Sequence, residues 1–116
     1  MADIAAQLEK AVQHKIAGEY EEAVVLLKAV LAAEPNNPDA HHELGLVLVF
    51  TGAFDESVQE LELAVRLNPR SIPFILDFGK TLTMLGEYEK AIPAFEYVLR
   101  IDPTNQEAIK NLDFIR

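Results

Sequence analysis

The side chains most suggestive of chemistry sit in one short stretch, where Asp39, His41, His42 and Glu43 place four potential metal ligands within five positions. Histidine and carboxylate are the groups that hold zinc and similar ions. On a helix, however, adjacent residues point about 100° apart, so His41 and His42 cannot close on one ion from the same face. Asp39 and Glu43 do share a face, but such carboxylate pairs are ordinarily solvated. The stretch therefore falls short of a metal site in ligand count and in geometry. Other carboxylate pairs, Glu60 with Glu62 and Glu87 with Glu89, read onto polar faces of amphipathic helices with no pocket to perturb them for general acid work. His14 has no serine or cysteine partner with a third orienting group. The chain has no cysteine, which removes thiolate nucleophiles, disulfides and thiolate ligands together. Its glycines are spaced for turns and close helix contacts rather than for cradling phosphate. The expectation is a protein that is not an enzyme, with no metal and no cofactor.

Composition narrows what remains. A chain of 116 residues fits one domain, 1–116, long enough to bury a core without disulfides or a structural metal. Half of it is hydrophobic and a quarter charged, the balance of a folded globular protein. The net charge of -9 opposes binding to a phosphate backbone, so nucleic acid and anionic lipid are poor candidates. The start, Met1-Ala2-Asp3-Ile4, lacks the basic-then-apolar order of a secretion signal. The apolar stretches around Val24 to Leu27 and Leu44 to Phe50 fall well short of the roughly 20 residues that span a bilayer. No membrane insertion is expected, and a cytoplasmic location is the default.

The elements that position these residues follow from a repeat. Pro35, Pro69 and Pro103 recur every 34 residues, and so do Gly18, Gly52 and Gly86. Each glycine stands between two amphipathic runs, where a left-handed residue ends one helix and reverses the chain. Each proline disfavours helical backbone at the residue before it, Glu34, Asn68 or Asp102, and so stops the second helix of a pair. Seven helices are predicted, near 4–17, 21–33, 38–51, 55–67, 72–85, 89–101 and 106–116. Carboxylates at Glu21, Glu22, Asp55, Glu56 and Glu89 suit first turns, where they oppose the positive end of the helix dipole. Asn37 before Pro38 reads as an N-cap, and Thr104 with Glu107 has capping-box spacing. Ala11, Gly45 and Gly79 should face Ala23, Ser57 and Ala91, because helices cross closely only where side chains are small. Pro93 falls inside a predicted helix, where it must cost a hydrogen bond or bend the axis, and no function is read into it.

These marks resemble the tetratricopeptide repeat (TPR) family, whose first helix carries a Leu-Gly pair and whose second carries a small residue and an aromatic. The matches are Leu44-Gly45 and Phe78-Gly79, with Ala11 in the first repeat. Ala23, Ser57 and Ala91 follow, each four places before Leu27, Leu61 or Phe95, while Tyr20, Phe54 and Tyr88 come just after the turns. The resemblance implies an all-α, right-handed superhelical solenoid of three helix-turn-helix repeats, about 4–37, 38–71 and 72–105, closed by a seventh capping helix at 106–116. In that cap Ile109 and Leu112 can cover the last repeat. Gln7, Lys10 and His14, at large apolar places of the family pattern, suit a terminal helix with no neighbour before it.

The same resemblance implies that first helices line a concave groove that grips a peptide or helix of another protein. In register, the groove would be built from Leu8, Val12, Ile16, His42, Glu43, Leu46, Val49, Phe50, Leu76, Asp77, Lys80, Met84 and Phe114, with Glu9, Asp39, Thr83 and Lys110 beside them. Some TPR domains clamp the acidic tails of chaperones with basic and asparagine side chains. At the matching positions this chain has Leu8, Val12, Glu43, Pro73 and Asp77, which cannot donate charge-assisted hydrogen bonds, so those tails are not expected as partners. An apolar strip bordered by carboxylates suits an apolar or mixed apolar-basic segment instead. Two alternatives stand beside this scaffold: a self-associating module, forming a homodimer or an array, and a chaperone for apolar clients.

Overall fold

The computed structural model describes residues 3–116, which are all-α. In chain order the helices are α1 (Ile4–Ile16), α2 (Tyr20–Ala33), α3 (Pro38–Thr51), α4 (Phe54–Leu67), α5 (Ile72–Met84), α6 (Tyr88–Ile101) and α7 (Gln106–Ile115). Two compact units divide the chain: Met1–Leu67 holds α1 to α4, and Asn68–Arg116 holds α5 to α7.

Four helices begin in the same way. Asp3, Asn37, Ser71 and Asn105 are extended residues whose side-chain oxygens accept from the backbone N–H of Ala6, Ala40, Phe74 and Ala108. Each bond satisfies a donor that the first turn otherwise leaves orphaned. The capping box read at Thr104 and Glu107 does not form. Asn105 takes the cap at 2.9 Å, the Thr104 hydroxyl donates to Asp102, and the Glu107 carboxylate turns to Lys80.

The other helices, α2, α4 and α6, follow glycine turns. Gly18, Gly52 and Gly86 have φ of 78°, 83° and 79°. No atom lies within 4 Å of where a side chain would begin there, so backbone conformation rather than space demands glycine. After each turn the N–H of Glu19, Ala53 or Glu87 reaches back to the carbonyl of His14, Leu48 or Leu82, closing the preceding helix.

Packing explains the small residues. In the first unit Ala11, Ala23, Leu27, Leu44, Val47 and Leu48 form a buried cluster, and each leucine fully withdrawn from water contributes about 2 kcal/mol. A Cβ on Gly45 would lie 2.6 Å from Leu61 Cγ, and one on Gly79 would lie 2.8 Å from Phe95 Cζ. The nearest neighbours of these glycines are thus the large residues one turn beyond Ser57 and Ala91. Ser57 contributes differently: it is fully buried and its hydroxyl donates to the Gly45 carbonyl at 2.6 Å. In the second unit α7 packs on α5 and α6, with Leu112 buried. Pro93 lies inside α6 on an exposed position, so the Glu89 carbonyl that loses its N–H partner is on the solvent side of the helix. No described helix is long and apolar enough to cross a membrane.

Candidate functional site

On the first unit, α1 and α3 touch and present one mixed face. Leu8, Val12 and Ile16 recur every fourth residue along α1, and the last of them is the exposed one. Leu8 packs against the core, Val12 is half-buried, and Ile16 is 78% exposed. Along α3, His42, Glu43, Leu46 and Val49 are half-buried while Phe50 is 60% exposed. Between the helices the Lys15 ammonium donates to both Glu43 oxygens, at 2.9 and 3.2 Å. Both side chains are largely covered, which makes the pair stronger than an ordinary surface bridge. Phe50 is held from one side, because its ring stacks on Tyr20 with centroids 4.7 Å apart and planes 6° from parallel. The two rings belong to an open depression shared with Glu19, Glu21, Glu22 and Thr51.

On the second unit the face of α5 and α7 is more charged. Lys80 bridges Glu107 on α7 at 3.2 Å and Asp77 on its own helix at 3.5 Å. Burial by itself lowers the Lys80 pKa, but the Glu107 hydrogen bond and the charges of Asp77 and Glu107 outweigh it and raise the value above that of an ordinary lysine. Met84 and Phe114 are 58% and 74% exposed. Leu76 needs correcting as a groove residue: it is buried, and offers almost no surface to a ligand.

The histidines do not gather around an ion position. His41 is buried, with Nδ1 against a Glu60 oxygen and Nε2 at 2.7 Å from the Pro35 carbonyl. It therefore ties α3 to α4 and to the turn before α3. Glu60 accordingly leaves the polar face assigned to it and becomes a mostly covered partner of His41. His14 meets Glu19 at 2.9 Å near the surface. Among the described residues no three histidines or carboxylates could hold one metal.

Sequence reasoning missed Lys15, Tyr20 and Glu60 as contributors. A signal for Lys15 was present, since the 34-residue register sets it at the place of Val49 and Thr83. Neither the Tyr20–Phe50 stack nor the His41–Glu60 pair has a comparable local signal, because both join residues from different helices.

Comparison with known proteins follows the same outline. A family model described as a tetratricopeptide repeat matches residues 16–74, and a second of that description matches 74–105. No curated protein matches. Among solved structures, the first TPR of Spaghetti (RPAP3), bound to the HSP90 peptide SRMEEVD, is 26% identical, with a TM-score of 0.88 over 97% of this chain and 89% of that one. The first TPR domain of human RPAP3 is also 26% identical, with a TM-score of 0.86 over 97% and 88%. MamA, at 20% identity, has a TM-score of 0.89 over 97% of this chain and 66% of its own, a likeness of fold alone.

Proposed function

The chain belongs to the tetratricopeptide repeat family, and from that premise we propose that it is a non-catalytic scaffold whose α1–α3 face holds an apolar polypeptide segment carrying lysine or arginine. The observation that carries this reading is the exposure of Ile16 and Phe50 at the end of an apolar stripe beside which Lys15 is already bound to Glu43. Clustered exposed apolar side chains mark interaction surfaces. A face fixed by helix packing and by the Tyr20 stack before a ligand arrives also lowers the ordering cost of binding.

A polypeptide ligand is in keeping with the similar TPR of Spaghetti, which holds the peptide SRMEEVD. That peptide is acidic, and the preference proposed here is opposite. The chain carries a net charge of -9, and Leu8, Val12, Glu43, Pro73 and Asp77 supply no cation to receive carboxylates. Met84 and Phe114 on the second unit form an additional apolar contact surface of the same kind.

Fluorescence anisotropy tests the reading with a labelled amphipathic peptide of leucines and lysines, and SRMEEVD as the acidic competitor. The leucine-lysine peptide should bind more tightly, and Phe50→Glu should weaken it about 30-fold, the effect of losing an anchor worth about 2 kcal/mol. Circular dichroism should show unchanged helicity. Tighter binding of SRMEEVD, or equal affinity in the variant, would sink the assignment. Light scattering on the protein alone addresses the competing occupant, since a stable dimer lost in Phe50→Glu would make a second copy of the chain the ligand of this face.

A further inference from the structure

The ion pair of Lys15 and Glu43 joins the two helices that carry the apolar face. Lys15 is three positions from Val12 along α1, and Glu43 is three positions from Leu46 along α3, a spacing that makes helix neighbours. Val12 and Leu46 are both half-buried. Both Glu43 oxygens accept from the Lys15 ammonium, and the two side chains are only 21% and 17% exposed. The cation is particular to the first repeat, since the register puts uncharged Val49 and Thr83 at its place in the later ones. On α5 the residue at the place of Glu43 is Asp77, which meets Lys80 from its own helix with 41% of the lysine side chain exposed.

A pair closed in this way resists charge of either sign. A ligand lysine aimed at Glu43 meets the Lys15 ammonium already seated there, and the like charges repel. A ligand carboxylate aimed at Lys15 must displace Glu43, and the displaced carboxylate would be left mostly covered without its partner. An uncharged side chain incurs neither cost, and Val12 and Leu46 offer it apolar contact.

We infer that Lys15 and Glu43 together are the specificity determinant for the charge pattern of the bound segment: uncharged where it crosses the pair, with its basic residues kept to the ends. The inference rests on the reading above and refines the ligand named there. The net charge of -9 favours a basic ligand at long range. The pair decides where along the segment those charges lie.

The test uses labelled peptides with one leucine pattern and glutamine at every polar site, in which a single glutamine, at the centre or at an end, is replaced by lysine or by glutamate. Fluorescence anisotropy gives, for each protein variant, the affinity with the charge at the centre divided by the affinity with the same charge at the end, so that net charge drops out. In the wild type this ratio should be about one-fifth for lysine and about one-fifth for glutamate. In Lys15→Met the lysine ratio should rise above one while the glutamate ratio stays low, and in Glu43→Gln the two should change places. The exchanged pair Lys15→Glu/Glu43→Lys should restore both low ratios, an outcome that damage to the fold would not produce. A wild type that takes a charge at the centre as readily as at the end, or ratios that are the same in the wild type and both single variants, would overturn the inference while leaving the apolar face standing. If none of the peptides binds the wild type, the apolar-face reading fails and the inference fails with it.

Discussion

On the first unit Lys15 is sunk against Glu43, with about a fifth of each side chain exposed or less, whereas on the second unit Lys80 lies nearer the solvent between Asp77 and Glu107. Both lysines serve faces built in the same repeat register. The difference shows that register sets where a charge appears, while packing sets how much of the surrounding surface stays apolar. Where the charge is absorbed between helices, Ile16 and Phe50 dominate the exposed rim. Where it is spread over the surface, exposed Met84 and Phe114 share the face with an ion-pair network.

The contrast extends inward. The first repeat accepts Ala11 at the place where the later repeats have Gly45, still in the first unit, and Gly79 in the second, so the α1–α2 crossing has room for a methyl group. The largest expected effect is accordingly at Gly79, where any Cβ would strike the Phe95 ring. Gly79→Val should cost about 3 kcal/mol by urea denaturation, whereas Ala11→Gly should cost only about 1 kcal/mol. A stable Gly79→Val would mean that Phe95 repacks freely and that the two crossings are equivalent.

The next effect sharpens the role of covered charge in the first unit. His41→Ala removes the partner of a mostly buried Glu60 and should cost about 2 kcal/mol of stability. At the more exposed His14–Glu19 pair the same truncation should cost under about 0.5 kcal/mol. Equal losses in thermal melts would erase the distinction between the two histidines.

The smallest effect belongs to Lys80. Its pKa is raised on folding, so its contribution is fully present below the usual lysine range and is lost as pH rises through the higher folded value. With the side chain 41% exposed, screening limits this to a few tenths of a kcal/mol. Lys80→Gln should remove that part of the alkaline decline in stability. An unchanged alkaline limb would place the charge network of the second unit outside its folding energetics.

The helices were legible in the sequence because their signals are local. A glycine with positive φ, a proline behind a helix end and an asparagine before Pro38 each act on neighbouring backbone, and every predicted boundary lies within one residue of the observed one. The 34-residue spacing turned those signals into a repeat, and the repeat into a family. The cap at Asn105 was misassigned to Thr104 because both residue types can cap a helix, and only the extended backbone at Asn105 brings its oxygen to the Ala108 N–H.

The candidate site was legible only as a set of positions. Leu76 and Ile16 carry similar apolar signals in the sequence, yet one is buried and the other exposed. Nothing in either residue's neighbours along the chain distinguishes them, since burial depends on what packs above a side chain. The stack of Tyr20 on Phe50, the pairing of Lys15 with Glu43 and the enclosure of His41 by Glu60 and Pro35 join residues from separate elements. The sequence by itself determined the helices, their turns and the register of the repeat, because backbone preferences act over a few residues. Tertiary structure decided which apolar and charged groups remained available for a partner, because availability depends on contacts made across helices.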